Sequence, residues 1–174
     1  MRRAELEKEL AELHEASMGW ALSCCGWDRD EAEEVLSMSY VKMLDGRARH
    51  EGRASLKTFF FGVVRRTAAE QRRRRRLRDL LLLRLGAYRQ GEATDSPAAE
   101  SLAARSGEAA LLRRALRALP ARQREILTLV FYHDLTVDQA AGVMGVAVGT
   151  ARAHYERAKA RLRTSLGAAA EMDP

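Results

Sequence analysis

Long apolar runs are missing from this chain. No stretch approaches the ~20 consecutive apolar residues that a bilayer-crossing helix requires, so no membrane insertion is expected. Cysteine is nearly absent: Cys24 and Cys25 are neighbours, which argues against a disulfide framework tying distant segments together and suits a reducing cytoplasm. A vicinal disulfide would be strained, so the pair reads as helix packing rather than as a redox or metal site. Proline occurs three times in 174 residues, and no period-two alternation of strand type runs for long. The opening "MRRAELEKELAELHEA" has charge but no apolar segment behind it, so no secretory signal is expected. The four histidines are dispersed, no metal-ligand spacing occurs and no glycine-rich phosphate loop is present. The expectation is therefore a binding protein, not an enzyme, with no metal and no cofactor.

What is abundant is arginine, and it is concentrated. The formal net charge is +6. Between positions 61 and 90 stand ten arginines against Glu70 and Asp79, a local +8, leaving −2 for everything else. A basic patch on a near-neutral body points to a polyanion, either nucleic acid or an acidic membrane surface. Within that patch "RRRRRLRDLLLLRLG" sets five arginines directly against leucines. Leu77 and Leu80 to Leu83 do not suit a DNA surface and read as a protein contact, made within the fold or with a partner.

Apolar periodicity is helical throughout. Leu6, Leu10, Leu13, Trp20 and Cys24 share one face of a first helix. "DRDEAEEVLSMSYVKMLDG" has an acidic start and a glycine stop, with Ala32, Val35, Leu36, Tyr40, Met43 and Leu44 inward. A polar loop over 46–55 leads to a third helix from about Ser55, whose apolar face is Phe59, Phe60, Val63 and Val64 and which continues through the arginines. Positions 86–106 turn Gly-, Ser-, Ala- and acid-rich and read as a linker, able to span roughly 65–70 Å when extended. The expected fold is thus all-α: a three- to four-helix unit over 1–85, the linker, and a second helical unit over 107–170.

The second unit carries the more specific pattern. Pro120 opens "PARQREILTLVFYH" in a favoured first-turn position. Thr136 followed by Gln139 forms a capping box, Ala140 and Ala141 permit close helix approach, Gly145 supplies a sharp turn and Val146 plugs the corner. "GTARAHYERAKARLR" then makes a helix with an apolar face (Ala151, Tyr155, Ala158, Leu162) and a basic one (Arg152, Lys159, Arg163). This is a helix-turn-helix pattern. Its second helix, entered in a major groove, would bring Arg152, Glu156 and Arg157 to base edges or phosphates.

On these residues, "LPARQREILTLVFYHDLTVDQAAGVMGVAVGTARAHYERAKARLR" resembles the promoter-binding C-terminal region of bacterial sigma-70 family sigma factors. "DEAEEVLSMSYVKML" followed by "SLKTFFFGVVRRTAAEQRRRRR" resembles their region 2. The order, gap and short length resemble the extracytoplasmic-function (ECF) group. The resemblance implies promoter DNA and the β′ and β subunits of core RNA polymerase as partners. It also implies an anti-sigma factor, and a cytoplasmic location with retention at the membrane where that anti-sigma factor is membrane-bound.

Carried over residue by residue, the resemblance implies that Thr150, Arg152, Ala153, Glu156 and Arg157 read a −35 element. Arg53, Lys57, Phe61, Arg65, Arg66, Arg72 and Arg73 would engage the −10 element, with the 46–55 loop capturing a flipped base. Glu33, Glu34, Ser37, Met38 and Val41 would face core polymerase. The chain departs from the family at Ser37 and Met38, where a Gln–Asp or Gln–Glu pair is usual. It departs also at Phe59 (usually Trp), Arg66 and Glu70 (Asn and Asp), Val130 (a basic residue) and Ala147 (a serine cap). A conventional helix-turn-helix regulator, or a sigma-like adaptor that opens no promoter, remains compatible with the same residues.

Overall fold

The computed structural model describes residues 3–84 and 107–170, and every regular element among them is helical. The helices are α1 (Arg3–Glu12), α2 (His14–Cys24), α3 (Arg29–Leu44), α4 (Leu56–Arg84), α5 (Gly107–Ala118), α6 (Ala121–Leu127), α7 (Val137–Met144) and α8 (Val148–Ala170). They belong to two compact units, Met1–Ala98 and Ala99–Pro174. The segment read as a linker lies outside the described residues.

The expected single first helix is two. The ladder breaks at Leu13, where ψ is −1°, although Ser17 N–H still donates to the Leu13 carbonyl at 2.9 Å. The break lets His14 reach α3, its Nδ1 lying 3.1 Å from the Tyr40 hydroxyl. Leu6 and Leu13 stay half-buried while Leu10, Trp20 and Ala21 enter the core. The α2–α3 turn uses two successive left-handed residues, Gly26 (φ +66°) and Trp27 (φ +71°). Asp28 then caps α3, its carboxylate accepting from Glu31 N–H at 2.9 Å, beside the acidic first turn that complements the helix dipole.

The core of this unit is built on Trp20. Its ring stacks on Phe61 at 5.8 Å between centroids, and its buried indole N–H donates to the Phe61 carbonyl at 3.0 Å. Around the pair pack Ala32, Val35, Leu36, Met43, Phe60, Val63, Val64 and Ala68. Of the residues expected inward on α3, Tyr40 and Leu44 remain half-buried. Phe59 and Phe61 exchange the places expected of them: Phe61 is fully buried and Phe59 only half-buried. At about 100° per residue, three consecutive phenylalanines cannot share one face. The line through Phe60, Phe61, Val64 and Ala68 leaves Phe59 at its edge.

In the second unit Leu119, Leu127 and Ala158 form a core flanked by Leu116, Tyr155 and Leu162. Pro120 stands at the N-cap of α6, one position before the first turn expected of it. Its carbonyl accepts from Gln123 and Arg124 N–H at 2.9 and 3.0 Å. A π-helical turn, Thr128–Tyr132, follows α6, a wider turn that the apolar spacing did not indicate.

Replacing Trp20 by alanine removes the stack, the hydrogen bond and the largest core volume together. The expected cost is about 3–5 kcal/mol, read as a lower urea midpoint with an unchanged slope.

Candidate nucleic-acid interface

The helix-turn-helix is assembled by backbone caps. The Thr136 hydroxyl accepts from Gln139 N–H at 3.1 Å while the Gln139 side-chain carbonyl accepts from Thr136 N–H at 2.9 Å, which fixes the start of α7. At its end Gly145 takes φ +65°. Val146 N–H donates to the Ala141 carbonyl at 3.1 Å and Gly145 N–H to that of Gly142 at 3.3 Å, the paired closing bonds of a Schellman motif. Ala140, Ala141, Ala151 and Ala158 are buried to within 1%, so α7 and α8 approach through methyl groups.

This packing turns the first turns of α8 outward. Thr150, Arg152, Glu156 and Arg157 are exposed, and Ala153 is half-buried beside them. Arg152 lies 3.3 Å from Asp138, with both side chains more than 60% exposed, a pair worth little in water and readily exchanged for another acceptor. Glu156 pairs with Lys159 at 2.8 Å, whose ammonium sits 4.5 Å from the centre of the Tyr155 ring. Phe131 stacks on that same ring at 6.1 Å. Asp138 and Phe131 border the candidate set, and the sequence pattern did not single them out because they come from α7 and the π turn.

In the first unit the 45–55 loop closes over a cavity of about 400 Å³ lined by Lys42, Arg47, Ala48, Arg49, Phe59, Val63, Arg66 and Glu70. The Asp45 carboxylate accepts from Arg47 N–H at 3.0 Å and from its Nε at 2.6 Å. That backbone hydrogen bond, with the guanidinium beside it, holds the Asp45 carboxyl below the usual carboxylate range. Gly46 and Gly52 turn the loop at φ +78° and +75°. The His50 Nε2–H donates to the Ala54 carbonyl at 2.7 Å at the loop's end, and its ring tilts against Phe59 at 5.3 Å. Lys42 hydrogen-bonds Thr67 Oγ1 at 3.0 Å and Glu70 at 2.7 Å. The result is an apolar floor, Phe59 and Val63, within a rim of four cations and one carboxylate. Such a surface suits a base stacked on an aromatic ring with its phosphates on the rim.

Of the −10 candidates, Arg66 lies on this cavity's wall. Arg53 is exposed and pairs with Glu51 at 3.0 Å, Arg65 is half-buried and Arg73 exposed. Lys57 is half-buried, its ammonium 5.8 Å from the Phe61 ring centre. Phe61 is corrected: buried under Trp20, it presents no face to a ligand, and Phe59 is the ring the loop leaves accessible. The arginine run is divided in use. Arg72 donates to the Cys24 carbonyl at 2.6 Å, satisfying the end of α2. Arg75 lies 2.9 Å from Glu31 and 3.8 Å from Glu34. Arg73, Arg74 and Arg76 are exposed.

The residues expected to face polymerase lie along α3. Ser37 and Val41 are exposed and Met38 half-buried. Glu33 pairs with Arg29 at 2.9 Å, and Glu34 accepts from the Gln71 side-chain amide. Cys25 is buried, and loss of hydration, reinforced by Glu31, pushes its thiol up to about 12. No described helix is long and apolar enough to cross a membrane.

Residues 109–162 match the family of sigma-70 region 4. No curated protein matches the chain. Among solved structures, the sigma factor RpoE in complex with the anti-sigma factor NepR from Bartonella quintana is similar at 24% identity and TM-score 0.68, over 98% of this chain and 99% of that one. CnrH, solved in complex with the cytosolic domain of CnrY, is similar at 18% identity and TM-score 0.61, over 92% of this chain and 87% of that one. Residues 109–162 are thus similar to sigma-70 region 4, and the chain as a whole has the fold of these solved proteins.

The raised Cys25 value has a readout. Below pH 9 the thiol is neutral in folded and unfolded chains alike, so its stabilising contribution is complete; it is lost as pH rises from about 9 toward 12, because the unfolded thiol ionises first. In the folded protein at pH 8, Cys25 should resist iodoacetamide, and unfolding should expose it, as followed by peptide mass spectrometry.

Proposed function

We propose that this chain is an alternative sigma factor of the ECF type, which binds core RNA polymerase and directs promoter-specific initiation without itself being an enzyme. The observation that carries the reading is the region 4 helix-turn-helix, with Thr150, Arg152, Glu156 and Arg157 exposed on the leading turns of α8, in a chain whose whole length follows a sigma factor fold. In this reading α8 lies in the major groove of a −35 element. Arg152 and Arg157 donate to guanine or phosphate and Glu156 accepts from cytosine N4.

The first unit would hold the −10 element. Phe59 and Val63 offer a stacking floor for a base turned out of the duplex, while Arg47, Arg49 and Arg66 take the neighbouring phosphates. Arg73, Arg74 and Arg76 extend the positive track along α4. The α3 stripe of exposed Ser37 and Val41 and half-buried Met38, with Glu33 and Glu34, is the proposed contact with core polymerase. An anti-sigma factor is proposed as a regulator, since RpoE was solved with one bound, and a cytoplasmic location follows from these partners.

Run-off transcription with purified core polymerase, this protein and the DNA upstream of its own gene tests the reading. A defined transcript that requires the protein is expected. No transcript, together with tight binding of the protein alone to the same duplex, would instead establish a conventional regulator.

Arg157→Ala should weaken promoter binding by about 1–3 kcal/mol, measured by competition at fixed salt. Arg47→Ala with Arg49→Ala should reduce permanganate reactivity of −10 thymines while sparing −35 binding; equal loss of both would reject the cavity as the −10 site.

A further inference from the structure

The last turns of α4 carry leucines that the proposed promoter recognition does not use. Its inward line, Phe60, Val64, Ala68, Gln71 and Arg75, ends where Arg75 meets Glu31. From Arg76 to Arg84 every residue is exposed, so more than two turns run on past the helices they came from. Leu77, Leu80, Leu81, Leu82 and Leu83 stand 38–59% exposed there. Isolated exposed leucines are ordinary, but five within seven positions mark an interaction surface.

Leu77, Leu80 and Leu81 fall at i, i+3 and i+4 and form one ridge. The same stripe continues into Arg73 on one side and Arg84 on the other, with Arg74 and Arg76 along its borders. From 72 to 84 the sequence has seven arginines and one acid, Asp79, a net +6. The surface is an apolar ridge in a cationic frame.

We propose that this ridge is a docking site for an acidic amphipathic helix of a partner polypeptide. Apolar side chains of that helix interdigitate with Leu77, Leu80 and Leu81, and its flanking carboxylates meet Arg73, Arg74, Arg76 and Arg84. A second copy of the chain would set one cationic frame against another. A lipid surface favours a helix with cationic and apolar residues on opposite faces, whereas here Leu82 and Leu83 continue around the helix and the arginines lie between leucines. The leucines of the ridge belong to neither the proposed −35 nor the proposed −10 reading, while Arg73, Arg74 and Arg76 are shared with the proposed −10 track.

The test uses the full-length protein and fluorescein-labelled peptides of three heptads, carrying glutamate at e and g, alanine elsewhere, and either leucine or serine at a and d. At 0.15 M salt the leucine peptide should bind at least tenfold more tightly than the serine peptide by anisotropy. The L77S/L80S/L81S variant should lose that advantage while keeping its circular dichroism and its −35 duplex binding. As a second variant, Arg74→Glu with Arg76→Glu should weaken the leucine peptide and favour a lysine-bearing counterpart. Equal binding of both peptides, or an advantage that survives in the triple variant, would reduce the effect to charge attraction and overturn the proposal. So would leucine-dependent binding to phosphatidylglycerol vesicles without peptide preference, or a leucine-dependent dimer by sedimentation without peptide binding.

Discussion

The contact between Trp20 and Phe61 sets the rotation of α4, and much of the first unit depends on that setting. A helix pinned at one residue has the direction of every other side chain assigned at about 100° per step. With Phe61 stacked under the indole and its carbonyl accepting the indole N–H, Phe59 is left at the loop, and Arg66 and Glu70 line the cavity. Gln71 and Arg75 turn back toward α3. Rotating α4 by a single residue would turn Arg65 or Arg66 toward the core, at the cost of removing a guanidinium from water.

The charge of α4 is accordingly not one patch but two. Arg72 and Arg75 are committed to the fold, one on an orphan helix carbonyl and the other on Glu31 and Glu34. Arg73, Arg74 and Arg76 project into water, where their charge costs the fold little. The same division occurs in the second unit. The side chains proposed to read DNA are held by weak exposed pairs, Arg152 with Asp138 and Glu156 with Lys159. Those pairs restrain them without competing strongly with a base edge. Stiffness there comes from the caps on α7 and the methyl contacts beneath α8.

The sequence by itself determined the helical class, the two units and the helix-turn-helix. These rest on short-range rules: apolar spacing near 3.6, a threonine three positions before a glutamine, and a glycine where φ must be positive. Such signals need no knowledge of distant residues. The Thr136–Gln139 box and the left-handed Gly145 were legible for that reason, as was the burial of Ala151 and Ala158.

Only the tertiary structure decided which phenylalanine is core, which arginines are free and where the first helix breaks. Phe59, Phe60 and Phe61 have the same hydrophobicity, and the choice among them follows from where Trp20 sits forty-one residues away in the chain. Five adjacent arginines look equivalent until the end of α2 and the acids of α3 claim two of their neighbourhood. The break at Leu13 and the π turn at Thr128–Tyr132 are likewise set by what packs against them. Local spacing fixes which residues can share a face; long-range packing fixes which way that face points.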